Sequence, residues 1–393
     1  MKRHSFLLPI VGVLMLASGI REASAQNLDS AVTHALQFAD FQLRRMVAHL
    51  GDTIRFPRSS LPDGSWKTTP AREWTSGFFA GCLWYMYERT NDLFFKSAAQ
   101  RWTEALHDIQ YYGGTHDLGF MIFNSYGNGY RLQPSESYKN AILQAAQTLT
   151  TRFNPTVGCI KSWDNPRWAY PVIVDNMMNL ELLFWSAEHG GTKRMREIAI
   201  SHAEKTMRNH FHPDGGTYHV LDYDTSNGLV IARNAHQGYA DESVWARGQA
   251  WSLYGFTMTY RYTKDERFLR TAERAADYFL RGLPANLIPY WDFNAPNIPN
   301  EERDVSAAAI AASALFELST FSPQPRKAAY REAAENILRA LCSPPYLAEG
   351  TNSSFILNHA VGSRPASSEV DVSLIYADYY FIEAMLRCLR LRN

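Results

Sequence analysis

Past its first 25 residues the 393-residue chain has no apolar run long enough to span a bilayer, so no membrane-spanning helix is expected there. Cysteine is scarce: Cys82, Cys159, Cys342 and Cys388 are scattered, mostly in apolar helical contexts, and a disulfide framework does not organise the chain. Buried free thiols are the expected state. Charge of one sign is also lacking, with 39 Lys and Arg against 39 Asp and Glu. Bulk attraction to nucleic acid or to an anionic membrane is therefore not expected, and any acidic ligand must be held by local groups. No P-loop, Rossmann glycine pattern, HExxH or nucleophile elbow occurs. Runs alternating in the strand manner are nearly absent.

What is present is a large apolar fraction, 46% hydrophobic and 13% aromatic, enough for one big core and too short a chain for several independent domains. Residues 1–25 read as a leader: a basic start at Met1–Lys2–Arg3–His4, an apolar stretch to Gly19 and a small-residue cleavage site at Ala23–Ser24–Ala25. The mature domain is expected over 26–393, exported to the periplasm, without a cysteine at the boundary for a lipid anchor. From Leu28 to Leu391 amphipathic patterns alternate with loops rich in Gly, Pro, Asn and Asp. They predict helices over about 29–50, 75–90, 94–112, 134–153, 175–189, 193–210, 241–263, 266–282, 304–320, 325–342 and 370–391. Paired helices in this number suggest a closed all-α toroid; the competing arrangement is an open solenoid with a concave binding face.

The segment His236–Trp251 is the most informative. Asp241 or Ser243 is positioned to cap a helix in which Arg247 and Trp251, four residues apart, share a face. A guanidinium beside an indole suits an anionic sugar, the cation pairing with a carboxylate and the ring stacking on the sugar's apolar face. The alternative is a core helix whose arginine pairs with an internal acid. Trp74 stands at the mouth of another helix. Asp175 precedes Met178, Leu182 and Trp185 at helical spacing, which puts its carboxyl on or just above an apolar face. It is either an N-cap or a proton donor. Burial and a nearby acid such as Asp117 raise its pKa, while the helix N-terminus lowers it. Of the histidines at 210, 212, 219 and 236, none has carboxylates at ligand spacing, so no metal is expected. His219, beside Gly215–Gly216, is favoured as a neutral hydrogen-bonding group for substrate.

Taken together, EWTSGFFAG from Glu73, HDLGF from His116, CIKSWD from Cys159, VDNMMNL from Val174, HQGYADESVWARGQAW from His236, RDVSAAAI from Arg303 and YADYYFIEA from Tyr376 resemble glycoside hydrolase family 88. The resemblance runs over about 70 to 392, and the HDLGF and SWD pieces favour its unsaturated glucuronyl hydrolases. It implies an (α/α)6 barrel acting without metal or organic cofactor. The implied substrate is the terminal 4,5-unsaturated uronic acid of lyase-generated oligosaccharides, glycosaminoglycan types favoured. It further implies Asp175 as general acid and base and Asp117 as a second essential carboxylate. Trp74 and Trp251 become stacking walls, and His219, Gln237 and Arg247 contact the uronate.

The chemistry expected is hydration of a vinyl ether: a proton delivered to C4, positive charge developing at C5 and the ring oxygen, then water adding at C5. One acid suffices to begin, unlike the paired carboxylates that flank the bond in ordinary glycosidases. Asp117, ionised, would offset the developing cation. The loop Ser363–Glu369 brings Ser367 and Ser368, but no lysine, to where some relatives meet a sulfated neighbouring sugar. Two other readings are an unsaturated rhamnogalacturonyl hydrolase, of the same fold and chemistry, and a noncatalytic binder of acidic sugars.

Overall fold

A computed structural model describes the backbone of residues 10–392 and the side chains of residues 28–392. The expected leader over 1–25 falls outside the residues whose side chains are described. Among the described residues there are twelve α-helices, a 3-10 turn, a π-helix and nine short strands. The chain runs α1 (Ile10–Leu50), β1 (Phe56–Ser60), β2 (Trp66–Thr69), α2 (Ser76–Thr90), α3 (Leu93–Glu104), the 3-10 turn His107–Tyr111, the π-helix Gly119–Gly127 and α4 (Asn128–Leu132). It continues through α5 (Glu136–Thr150), β3 (Phe153–Asn154), β4 (Cys159–Ile160), β5 (Pro171–Ile173), α6 (Asn176–Glu188), α7 (Lys193–Asn209), β6 (Val220–Tyr223), β7 (Val230–Asn234) and α8 (Ala246–Thr263). Last come α9 (Glu266–Arg281), α10 (Val305–Phe321), α11 (Arg326–Leu341), β8 (Ala360–Ser363), β9 (Ser368–Val372) and α12 (Ile375–Arg390).

Two kinds of helix build it. Helices α3, α5, α7, α9 and α11 bury one stripe and expose the rest; α9, capped by the Asp265 carboxylate on Arg267 N, buries Phe268, Leu269, Ala272, Ala275, Ala276 and Phe279. Helices α2, α6, α8, α10 and α12 are instead buried on nearly all sides, as in α10, whose Ala-rich face from Val305 to Ser319 lets neighbours approach closely. These form an inner ring in which α2, the π-helix, α6, α8, α10 and α12 each touch the next, and α12 returns to α2. That last contact closes the ring. The architecture is an (α/α)6 barrel, and the open solenoid is excluded.

Three expectations are corrected. The helix expected over 241–263 begins only at Ala246, with Trp245 at the cap and no side-chain bond there. Asp241 instead accepts from Ala235 N at 2.7 Å, and the Ser243 hydroxyl donates to Asp292 at 2.7 Å. The stretch 119–132, which lies outside the expected helices, is one of the six inner helices, a π-helix running into α4. Finally, the helix expected over 370–391 begins at Ile375, residues 370–372 lying in β9. Strands are as scarce as expected: among the described residues nine, of two to five residues each, pair as hairpins and one three-stranded sheet, β5-β6-β7. The four cysteines are buried and free.

Two glycines allow the inner ring to close around the N-terminal ends of its helices. A Cβ on Gly77 of α2 would sit 2.2 Å from the Phe120 carbonyl oxygen, and one on Gly119 would sit 2.6 Å from Asn179 Cα of α6. Both neighbours are backbone, so neither yields. This draws α2, the π-helix and α6 together where Trp74, Asp117 and Asp175 enter the barrel.

Candidate active site

Strand β5 passes through Val174, whose N–H donates to His219 O at 3.1 Å, straight into α6. Asp175 therefore stands at the head of an inner helix, almost wholly buried. Its carboxyl makes no cap hydrogen bond. Oδ2 has no hydrogen-bond partner and lies 3.7 Å from His219 Nε2, which is also unpartnered. Burial, reinforced by Asp117, lifts this carboxyl to about 7 against the pull of Arg247, the helix-end backbone and the Trp251 indole. A carboxylic acid is thus available at neutral pH.

Asp117 sits at the head of the π-helix. Its Oδ2 accepts from the Thr115 hydroxyl at 2.6 Å, and its Oδ1 is 3.3 Å from His116 Nε2. Burial raises it to about 6, less than Asp175 because Thr115, Arg152 and Asn179 favour the charged form. His116, wholly buried, is pushed down to about 3 and is neutral. The two carboxyls thus differ, the lower one supported by the Thr115 hydroxyl and the higher one without a hydrogen-bond partner at Oδ2.

His219 Nδ1 accepts from Gln237 N at 3.2 Å, which places the ring proton on Nε2, facing Asp175. Burial drives its pKa well down, so it is a neutral donor. Gln237 spans from this ring to the β8–β9 hairpin, its Nε2 donating to Gly362 O at 3.0 Å. Arg247 is 1% exposed. Its Nη1 donates to Asp304 Oδ2 at 2.9 Å and to Val361 O, and its Nη2 to Gly362 O at 2.6 Å. The guanidinium is also sandwiched between Trp245 and Tyr376, at 4.4 and 5.3 Å from the ring centroids.

Below these groups the barrel axis is filled by Phe78, Phe120, Trp251, Tyr376 and Tyr380, with neighbouring ring centroids 5.2–6.0 Å apart. This layer separates the site from a cavity of about 440 Å³ at the other end of the inner helices, lined by residues including Arg131, Glu181, Arg261, Glu383 and Arg387. There every charge is paired: Arg261 with Glu181 and Glu317, Arg387 with Glu317 and Glu383, Arg131 with Glu88. Glu317 is held below the usual carboxylate range by those arginines despite its burial. The acids of that cavity are tied up in ion pairs, whereas the Asp175 carboxyl has no ion-pair partner on an arginine or lysine, so the chemistry is assigned to the Asp175 end.

The glycosyl hydrolase family 88 model matches residues 52–383. The chain belongs to this family. An unsaturated glucuronyl hydrolase of Formosa agariphila is 40% identical, over 98% of both chains. An unsaturated chondroitin disaccharide hydrolase of Streptococcus pyogenes is 32% identical over 91% of this chain and 90% of its own. The crystal structure of an unsaturated glucuronyl hydrolase specific for heparin superposes with a TM-score of 0.89 at 45% identity, covering 93% of this chain and 98% of that one.

In this family 88 member, Asp175, Asp117, His219, Gln237 and Trp74 surround one end of the barrel, Trp74 partly exposed against Phe78, Phe120 and Tyr376. Two expected contacts take different forms. Trp251 is fully enclosed between Phe120 and Tyr380, so it offers no face for stacking; it forms the floor and turns its Nε1 toward Asp175. Arg247 presents no open fork, because it is held in an internal ion pair with Asp304 and by two hairpin carbonyls. It reaches the site as a buried positive charge. Ser367 lies in the exposed turn of the β8–β9 hairpin at φ 48°, and Ser368, also exposed, opens β9 opposite Ser363.

Sequence reasoning missed His116, Thr115, Asn179 and Asp304. Asn179 carries a recoverable signal: it stands four residues after Asp175, one helical turn on, where its side chain meets Phe120 N and Asp117. Among the described residues no group of three or more His, Cys, Asp or Glu is placed to hold a metal ion.

Proposed function

We propose that this protein removes the 4,5-unsaturated uronic acid from the non-reducing end of lyase-generated glycosaminoglycan oligosaccharides, with Asp175 as acid and base. The observation that carries the proposal is a buried carboxyl with an unpartnered Oδ2, raised to about 7 and coupled to a second one raised to about 6. Asp175 protonates C4, and Asp117, ionised, faces the cation that develops at C5 and the ring oxygen. Water adds to C5 and returns its proton to the Asp175 carboxylate. The hemiketal so formed opens to a C5 ketone, leaving C1 as a hemiacetal that expels the neighbouring sugar. The uronate's own charge raises the Asp175 pKa further, so the substrate helps keep the acid protonated. Trp74 flanks the sugar ring, His219 Nε2 and Gln237 offer donors to it, and the buried charge of Arg247 attracts the carboxylate.

The unsaturated heparin disaccharides are the first substrates to test, because the heparin-specific relative is 45% identical. Incubating purified protein with a panel of unsaturated heparin, chondroitin, hyaluronan and pectin disaccharides should bleach the near-ultraviolet alkene absorbance of at least one glycosaminoglycan member. No bleaching of any, or bleaching of the pectin product alone, would reject the proposal. Export to the periplasm is part of the same reading, supported by the leader pattern; the mass of the protein from a periplasmic extract should correspond to a chain starting at Gln26.

A further inference from the structure

The reaction chemistry leaves one buried charge cluster unused. Arg58, at the centre of β1, is largely buried, although it lies far in sequence from either acid. Its Nε and Nη2 donate to the Glu369 carboxylate of β9 at 3.0 and 2.7 Å, and its Nη1 donates to Glu73. Glu73 in turn accepts from Thr75 N at 2.9 Å and from the Thr75 hydroxyl, which fixes the turn that carries Trp74 into α2. The Arg58 guanidinium lies 5.4 Å from the Trp74 ring centroid. Ser59 Oγ and Lys67 Nζ complete the Glu369 carboxylate at 3.1 and 3.3 Å. Burial opposes the arginine's charge, but Glu73 and Glu369 hold its pKa above the usual range.

The hairpin that Glu369 belongs to needs such a restraint. His359, Ser367, Glu369 and Asp371 all have φ between 48° and 68°, left-handed backbone that non-glycine residues adopt only when their surroundings impose it. The same hairpin gives Val361 O and Gly362 O to Arg247 and Gln237. One side of the entrance is therefore Trp74, the other is the β8–β9 hairpin, and a single guanidinium joins them.

We propose that Arg58 is a positioning residue which, by bridging Glu73 and Glu369, holds Trp74 and the β8–β9 hairpin together as the two sides of the substrate entrance. The inference rests on the proposed reaction for its kinetic readout. Arg58 touches neither acid. Arg247 keeps its ion pair with Asp304 at the head of α10, so the field at Asp175 survives when the clamp opens. Loss of the clamp thus affects binding and leaves proton transfer alone.

The test uses the full mature protein and an unsaturated disaccharide. Arg58→Gln and Glu369→Gln should each raise KM by about tenfold with kcat within about twofold, and the basic limb of the pH profile should not move. The double variant should add little to either single one, since each already breaks the same bridge. Arg58→Lys, which keeps the charge but loses the fork, should recover part of the binding. Hydrogen exchange of amides 360–373 should quicken in both single variants, a readout that needs no turnover. KM unchanged in both, a fall in kcat at constant KM, or strictly additive effects would overturn the proposal. If Arg58→Gln does not fold, Glu369→Gln decides by the same criteria. A wild type that turns over no disaccharide rejects the proposed reaction instead, and hairpin exchange unaltered by Glu369→Gln then rejects the clamp on its own.

Discussion

Replacing Asp175 by asparagine should abolish activity and, at neutral pH, make the protein more stable. The second outcome follows from the structure without reference to any substrate. A carboxyl raised from 3.8 to about 7 binds its proton more tightly in the folded than in the unfolded chain. Its contribution to stability is full below pH 4, declines as pH rises through the interval up to about 7, and is gone beyond it. Three units correspond to roughly 4 kcal/mol at pH 8, the cost of an ionised group in a pocket that offers it no cap and no hydrogen bond to Oδ2. Asparagine keeps the shape and never ionises.

The measurement is thermal unfolding of wild type and Asp175→Asn in parallel from pH 4.5 to 8.5. The two melting temperatures should be close at the acid end and diverge with rising pH, the variant ending higher by about 5 °C for a chain of this size. Asp117 and every surface group are common to both proteins, so the difference isolates one carboxyl. A difference that stays flat with pH, or one that grows toward acid, would refute the claim that the folded protein holds this group uncharged. The accompanying activity assay must then show no bleaching of the alkene by the variant.

Three further outcomes follow from the same geometry. The pH profile of kcat/KM should be a narrow bell with apparent limbs near 6 and 7, because Asp117 must be ionised and Asp175 protonated; activity still rising at pH 8 would contradict the assignment. Asp117→Asn should lower kcat and move the basic limb toward acid, since the neighbour that raises Asp175 is gone; a limb that stays in place would show that the two do not interact. Arg247→Met leaves Asp304 buried without its cation, which should cost about 3–5 kcal/mol of stability, and should move the basic limb toward higher pH. Unfolding and pH–rate measurements on one preparation test both parts.

The sequence revealed elements whose cause is local and hid those whose cause is distant. Helix α9 was legible because an aspartate cap and an apolar stripe at helical spacing lie within sixteen residues. Asp175 was legible because Met178 and Leu182 follow it at helical spacing and are buried in the barrel. The π-helix was not: GFMIFNSYG opens on an apolar run with no polar face at helical spacing, is bounded by glycines, and its form depends on Asn179 of another helix accepting from Phe120 N. The start of α8 was misplaced because Asp292, about fifty residues on, holds Tyr239 N and the Ser243 hydroxyl in a loop that local signals assign to the helix. Asp304, the partner of Arg247, is likewise 57 residues away, and no spacing rule connects them.

Asp175 shows how narrow the choice is between a cap and an acid. Asp92, Asp265 and Asp304 also stand at helix heads, at ψ of 125°, 114° and 93°, and each turns its carboxylate onto a backbone N–H two residues on. Asp92 and Asp265 are consequently held low, by an arginine beside them and by that N–H. Asp175 has ψ −26°, helical already, because β5 feeds α6 without an intervening extended residue. In that conformation the side chain cannot fold back onto the first turn, so the helix end acts only as a distant field and burial dominates. Had the strand ended one residue later in extended backbone, the same aspartate would be an ordinary cap, ionised at every physiological pH. The proton donor is therefore a product of the strand-to-helix junction as much as of the pocket, and lengthening the segment between Ile173 and Asn176 should extinguish it while leaving the barrel closed.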